Sequence, residues 1–342
     1  MNVLDPKTIR RIFLIHYGAL GDFILSLPLL GALHATFDLA DITVFGCLDY
    51  LDLIKGIFPR LILQSSAHPT IRALYVNDPD RPPAPLPADL AILLTRHLDP
   101  VVAGNLRAAG VSQVWPLDFF PPPGQRHHLS EHLLGQAQAF YPFLRPLPVR
   151  LQPTPANRAG GKEWLTQHGV DWARPVLAFH PGSGSRLKLW PAANLAALID
   201  WAGLSFNIQP LLIVGPADDD AAAAVLNLIK SPTPIIARHL PLSELSGILS
   251  LCAGLVGHDS GIAHLAAALG LRVVTIFGPT DPLIWAPGSP LAIIVSAPSA
   301  CAPCGLSQAR ECPEQICLTS LTLDQVKQAV TRMMMLNSIR PA

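Results

Sequence analysis

Charge is scarce in this sequence of 342 residues: 14% are charged, and the 24 basic and 24 acidic side chains cancel. A nucleic-acid binder carries a basic footprint, so no nucleic-acid partner is expected. Nor is there an unbroken apolar run that would span a bilayer. The most apolar stretch, Leu245 to Leu271, is interrupted by His258, Asp259 and His264, which are costly in hydrocarbon. The first residues contain a short apolar run but no small-residue cleavage site, so they do not read as an export signal. The expected compartment is the cytoplasm, with contact at a membrane surface left open. Two nucleotide signatures are also missing. The absence of G-x-G-x-x-G counts against an oxidoreductase with a dinucleotide cofactor, and the Walker A order is not found.

What is present is apolar material in short runs. Half of the residues are hydrophobic, and the length suits two domains. Apolar runs alternate with amphipathic stretches, the pattern of an α/β protein with parallel sheets. Strands are expected at 11–17, 42–45 and 90–94, with a Gly-bearing turn at 18–22 and a helix from Phe23 to about Ala35. The proline-rich segment 78–89 reads as a loop. Residues 145–157, RPLPVRLQPTPAN, read as an extended linker, which divides the chain into domains 1–150 and 151–342. The second half repeats the rhythm: strands at 176–180, 211–215, 254–257 and 273–277, and helices from Ala192, Asp218, Leu242, Gly261 and Leu323. Two Rossmann-like domains facing a cleft are the economical architecture.

Three segments carry chemistry. Gly18-Ala19-Leu20-Gly21-Asp22 follows the first strand, where open α/β sheets bind ligands. Asp22 there suits either a helix cap or a general base. His180-Pro181-Gly182-Ser183-Gly184-Ser185, ending at Lys188-Leu189-Trp190-Pro191, supplies small residues, hydroxyls and one cation after a strand. That layout suits a diphosphate, against the bland alternative of a surface connection. Gly257-His258-Asp259-Ser260-Gly261 opens a helix that carries His264 one turn in. Exposed amides and the helix dipole make such a start an anion site, although Asp259 and Ser260 also read as caps and His264 as a core residue.

Cys301, Cys304, Cys312 and Cys317 lie close together as C-x2-C-x7-C-x4-C. They could ligate a structural zinc or stand as reduced thiols in a compact loop. Cys47 and Cys252 read as buried residues of a strand or helix.

IFLIHYGALGD, HPGSGSRLKLWP and VGHDSGIAHLAAALGLRVVTIFGPTDP, in this order, resemble the heptosyltransferase family, glycosyltransferase family 9. The resemblance runs from about Arg10 to Val330 and implies a GT-B fold. It implies an inverting, metal-independent glycosyltransferase that moves a sugar, heptose from ADP-heptose, to a lipopolysaccharide-core type, lipid-linked saccharide acceptor. No cofactor is then required, and the inner membrane becomes the surface that the enzyme could touch. Asp22 matches the family's base, and Gly18 and Gly21 its acceptor-side loop. Ser183, Ser185 and Lys188 match the donor-phosphate loop. Asp259, Ser260, Gly261 and His264 match the segment around the pyrophosphate and sugar. Asp218 or Asp219, the latter preferred, stands where the ribose is held, and Leu240 where the backbone meets adenine. Tyr17 and Gly18 stand where the family often has Ser or Thr. No D-x-D-like metal motif appears where the diphosphate would sit. The competing readings are a GT-B enzyme with another donor or acceptor, and a non-catalytic binding relative.

Overall fold

The computed structural model describes residues 5–337 apart from 77, 79–82, 96–98, 123 and 232. The chain divides into two compact units, Met1–Val149 and Arg150–Ala342. The first is built on five parallel strands, β1 (Arg11–His16), β2 (Asp41–Gly46), β3 (Leu61–Ser65), β4 (Leu90–Thr95) and β5 (Gln113–Asp118), ordered β3-β2-β1-β4-β5. Ile12 pairs with Ile42 on one side and Leu90 on the other. Helices cover both faces of such a sheet, so its central strands are near-continuous apolar runs; IFLI of β1 and LAILL of β4 are buried throughout. The longer helices of this unit are α1 (Leu20–Thr36), α2 (Pro100–Ala108) and α3 (Leu129–Phe140).

The second unit has six parallel strands, β6 (Val176–His180), β7 (Gln209–Val214), β8 (Ile235–Arg238), β9 (Gly254–His258), β10 (Val273–Ile276) and β11 (Ala292–Val295). Their order is β11-β10-β9-β6-β7-β8. Its longer helices are α4 (Pro155–Gln167), α5 (Ala192–Phe206), α6 (Asp219–Leu226), α7 (Leu242–Leu249), α8 (Gly261–Ala268) and α9 (Leu323–Asn337). Phe179, Leu212, Val256 and Ile276 share one core with α5 and α9. Trp190, buried in it, donates its indole N–H to the Leu321 carbonyl at 3.0 Å, just before α9. The α/β class with parallel sheets is as the sequence led one to expect.

Three local expectations are corrected. The first helix starts at Leu20 rather than Phe23, because Ala19 already has extended N-cap geometry and Asp22 lies in the first turn. The expected linker stays extended only to Thr154. Leu151 N–H donates to the Ala268 carbonyl, and Thr154 accepts from Asn157 N–H, with Pro155 at the first helical position. An N-cap followed by proline starts a helix, so 155–157 belong to α4. Cys47 is exposed and Cys252 lies in the turn after α7, so neither is a core residue of a strand or helix. Of the proline-rich loop, 83–88 form no helix or strand, and 77 and 79–82 lie outside the described residues. Among the described residues, no helix is long and apolar enough to cross a membrane.

Candidate functional site

Strand order locates the sites before any side chain is considered. Ligands of open parallel sheets bind beyond the carboxyl ends of the strands where the order reverses. In the second unit that reversal falls between β6 and β9. The 180–191 loop leaves β6 and the Asp259–Ser260–Gly261 segment leaves β9, so two motifs far apart in sequence meet at one edge.

There, Lys188 Nζ lies 3.1 Å from Asp259 Oδ2, both side chains largely buried. Thr280 Oγ1 donates to the same carboxylate oxygen at 2.8 Å, and His264 Nε2 stands 3.9 Å from Oδ1. Burial pushes the Asp259 carboxyl up, but the His264 ring, the Lys188 charge and the Thr280 hydrogen bond outweigh it and bring it to about 2. Asp259 is therefore an anion at neutral pH, and it fixes Lys188 beside the start of α8. Ser260 caps that helix, its Oγ accepting from Ala263 N–H at 3.4 Å. Gly261 is the first helical residue, and the first-turn amides have no intrahelical partner by construction. Ser183 Oγ donates to the Asp259 carbonyl at 3.0 Å, which ties the two loops together. Ser185 instead turns back to cap Leu187 N–H within its own loop.

The loop is pinned at both ends by His258, a residue of the third motif to which sequence reasoning assigned no role. Trp190 N–H donates to His258 Nε2 at 3.0 Å, so the ring proton sits on Nδ1, 3.2 Å from the Gly182 carbonyl. Burial first, and then the neighbouring His180, lower the His258 pKa to about 4 and keep it neutral. Gly182 is required for a different reason. A Cβ there would overlap the Asp218 carboxylate.

The three consecutive aspartates after β7 separate. Asp218 is buried, and its Oδ2 accepts from Gly215 N–H at 2.9 Å and from His180 Nε2 at 3.0 Å. Asp219 is half exposed and paired with Arg238 and His239, while Asp220 pairs with Arg186. Of the two candidates for a ribose ligand, Asp219 is thus the accessible one. Leu240 lies between β8 and α7, beside that carboxylate's partner His239. Ser183, Lys188, Asp259, Ser260, Gly261 and His264 form one group, with Asp219 and Leu240 farther along the sheet edge. Thr280, in the loop after β10, is the member that sequence reasoning missed; its setting in G-P-T-D-P, after an apolar strand, was the available signal.

In the first unit the order reverses between β1 and β4, and Gly18–Asp22 follows β1. Asp22 is half-buried and occupies the third helical position, where Oδ2 accepts from Ala19 N–H at 3.0 Å. The capping role is therefore real, and it holds the carboxylate against the loop. A Cβ on Gly18 would come within 2.7 Å of Asp22 Cβ and 2.9 Å of His16 Cε1. His16 is wedged edge-on between Phe23 and Phe119, and burial lowers its pKa to about 4. Tyr17 is 49% exposed, with its ring edge-on to Tyr75 at 6.2 Å. Gly21 sits inside the first turn of α1 rather than in the loop.

All six cysteines are free thiols. Cys317 is buried in the core and Cys301 exposed; burial first, then the other cysteines, raise the Cys304 and Cys317 pKa values. Among the described residues, no three His, Cys, Asp or Glu side chains are grouped as metal ligands.

A model of glycosyltransferase family 9 (heptosyltransferase) matches residues 151–315, the stretch that contains the whole β6–β9 group. Lipopolysaccharide heptosyltransferase 3 of Escherichia coli is 26% identical over 198 residues, 56% of this chain and 50% of that protein. Lipooligosaccharide heptosyltransferase 2 of Haemophilus influenzae is 27% identical over 159 residues, 45% of each. The chain thus spans about half the length of the curated relatives it matches. Similarity of fold extends further. The glycosyl transferase family 9 structure from Veillonella parvula covers 97% of this chain and 98% of its own at a TM-score of 0.78 and 18% identity. E. coli ADP-heptose lps heptosyltransferase II covers 96% and 99% at 0.72, also with 18% identity. The iron-containing dodecameric glycosyltransferase TibC of E. coli covers 100% of this chain and 82% of its own at 0.61 and 15% identity. The three motifs thus stand at the two sheet reversals, and over residues 151–315, most of its second unit, this chain matches glycosyltransferase family 9, the heptosyltransferase family.

Proposed function

We propose that the chain is an inverting glycosyltransferase that moves a sugar from a nucleoside diphosphate to a saccharide hydroxyl, with ADP-heptose as donor and a lipid-linked, core-type saccharide as acceptor. The observation that carries this reading is the Lys188–Asp259 pair at the amino terminus of α8. A cation held by a buried carboxylate beside the first-turn amides of a helix is a preorganised anion site. The curated relatives are heptosyltransferases, which favours this donor and acceptor over others.

The reaction separates charge. Positive charge grows on the sugar ring as the glycosidic bond breaks, and negative charge grows on the departing diphosphate. Lys188 has three N–H donors, so it can keep its contact with Asp259 and still reach a phosphate oxygen. Together with the first amides of α8 it takes the place that a divalent ion would fill, and transfer needs no metal. Asp219 is assigned to the ribose and the Leu240 backbone to the base. Asp22 accepts the acceptor's proton as the new bond forms. An unperturbed aspartate titrates near 4, so it is ionised at neutral pH and effective only when held within hydrogen-bond reach of the hydroxyl. The first unit is assigned to the acceptor and the second to the nucleotide sugar, with the chain working at the cytoplasmic face of the inner membrane.

Thermal shift of the purified chain against ADP, UDP, GDP and ADP-heptose, with EDTA present, tests the donor assignment. Selective stabilisation by ADP and ADP-heptose is expected. A preference for UDP or GDP would replace the donor, and no shift with any of them would overturn the reading.

A further inference from the structure

The β6–β9 edge contains a second buried group that the roles above leave idle. His180 ends β6 and is 2% exposed. Its Nε2 lies 3.0 Å from Asp218 Oδ2, and its Nδ1 lies 3.1 Å from Ser260 Oγ. The three side chains thus form a line from the turn after β7, through β6, to the cap of α8.

The proton positions along this line follow from the chemistry of the groups. Burial pushes Asp218 up, but the hydrogen bonds from His180 and from the Gly215 N–H hold it below its ordinary value. It is therefore an acceptor, and the His180 Nε2 must carry a hydrogen. While the ring is neutral, Nδ1 has only a lone pair, so the Ser260 hydroxyl must point its one hydrogen inward. Ser260 Oγ also accepts from Ala263 N–H. In this state the hydroxyl offers a diphosphate at the start of α8 nothing but lone pairs, which repel it. If His180 takes a proton, Nδ1–H donates to Ser260 Oγ, and the hydroxyl hydrogen is released to point at the ligand. The cost of a buried imidazolium is offset by Asp218 on one side and by the bound anion on the other.

We propose that binding of the donor diphosphate draws a proton from solvent onto His180, and that His180 is the positioning residue that turns the Ser260 hydroxyl toward the leaving phosphate. This rests on the donor reading given above. No covalent bond other than N–H is made, and the proton returns to solvent when the nucleotide leaves. The charged and titratable groups around the ring favour the exchange. Asp218 is its direct partner, and His258 nearby is neutral. Asp259 is matched by Lys188 with His264 beside it, so the incoming diphosphate is the uncompensated charge. A buried group feels that charge with little screening.

Calorimetric titration of the chain with ADP-heptose, without acceptor, in two buffers of different protonation enthalpy near neutral pH reads the proton directly. Each phosphate of the ligand carries one ester and one anhydride bond, and its single acidic proton is already lost well below neutral pH. The wild-type chain is expected to take up close to one proton per bound nucleotide. His180→Gln is expected to bind more weakly with the uptake lost, and Asp218→Asn provides the same test should the first variant fail to fold. Binding with no uptake in the wild type, or with undiminished uptake in His180→Gln, would overturn the inference and leave the donor reading intact. Failure of ADP-heptose to bind at all would remove the donor reading and this inference with it.

Discussion

At the scale of single residues, the site is organised by buried anions rather than by exposed cations. Asp259 is held by Lys188 and Thr280 and Asp218 by His180 and Gly215, so each loop end is fastened to a charge that cannot leave. Removing one partner of such a pair leaves the other uncompensated. Asp259→Ala is therefore expected to destabilise the fold by about 3 kcal/mol, readable by urea unfolding; a change under about 0.5 kcal/mol, the usual surface effect, would contradict the assignment. Lys188→Ala is a different case, because the proposed function gives its charge to the leaving group. Turnover should fall by roughly a hundredfold, the typical loss for one preorganised donor, and steady-state kinetics would show whether only affinity changes instead. These residue types were legible in the sequence, but their pairing was not. Nothing in the spacing of Asp218, Asp219 and Asp220 says that the first turns inward to His180 while the other two meet Arg238, His239 and Arg186. Thr280 escaped for the same reason, since its partner lies 21 residues away across β10.

At the scale of elements, the strands that sequence reasoning found and missed divide by position in the sheet. The recognised ones are interior: β1, β2 and β4 in the first unit, and β6, β7, β9 and β10 in the second. Those overlooked, β3, β5, β8 and β11, are the four edge strands. Edge strands are covered on fewer sides and need no unbroken apolar run; β5 even contains Pro116 and alternates in burial, which an edge tolerates. The start of α1 was misjudged because Gly21 and Asp22 look like loop residues, whereas Asp22 is a helix-start residue seen from inside the first turn. That geometry makes Gly18 decisive. Gly18→Ala would press a methyl against Asp22 and His16, and overpacking of this kind costs typically 1–3 kcal/mol. It should also displace the carboxylate, so a loss of transfer larger than the loss of stability is expected. Retention of full activity would mean that this loop is not where the acceptor reacts. α4 and α7 meet across Gly161 and Gly247, where an added Cβ on Gly247 would overlap the Asn157 carbonyl. Gly247→Ala should therefore lower the melting temperature without a specific effect on nucleotide affinity.

At the scale of the whole molecule, the family motifs were legible because they fall at the two strand-order reversals, where the fold leaves little freedom. Buried His16 in the first unit and His258 in the second, both held neutral, give a consequence for acid stability. His16 and His258 titrate at about 4 in the folded chain against about 6.5 in an unfolded one. Between those values the unfolded state binds more protons, so stability rises with pH through the window. The contribution is complete above about 6.5 and lost on acidification toward 4, by about 3 kcal/mol for each residue. Melting temperatures from pH 7.5 down to 4.5 should fall accordingly, and His258→Gln should flatten part of the slope; a level profile would mean that neither ring is held neutral.

The central claim is that Asp22 activates an acceptor hydroxyl while the β6–β9 group, without metal, takes the leaving diphosphate. ADP release from ADP-heptose, measured in EDTA with a heptose-deficient core saccharide as acceptor, tests it with one pair of proteins. The wild-type chain should release ADP only when acceptor is present. Asp22→Asn should bind ADP as tightly and turn over slower by roughly 10²–10⁴-fold, the usual worth of a general base. Equal turnover by the two proteins, or none by the wild type until a divalent metal is added, would contradict the account.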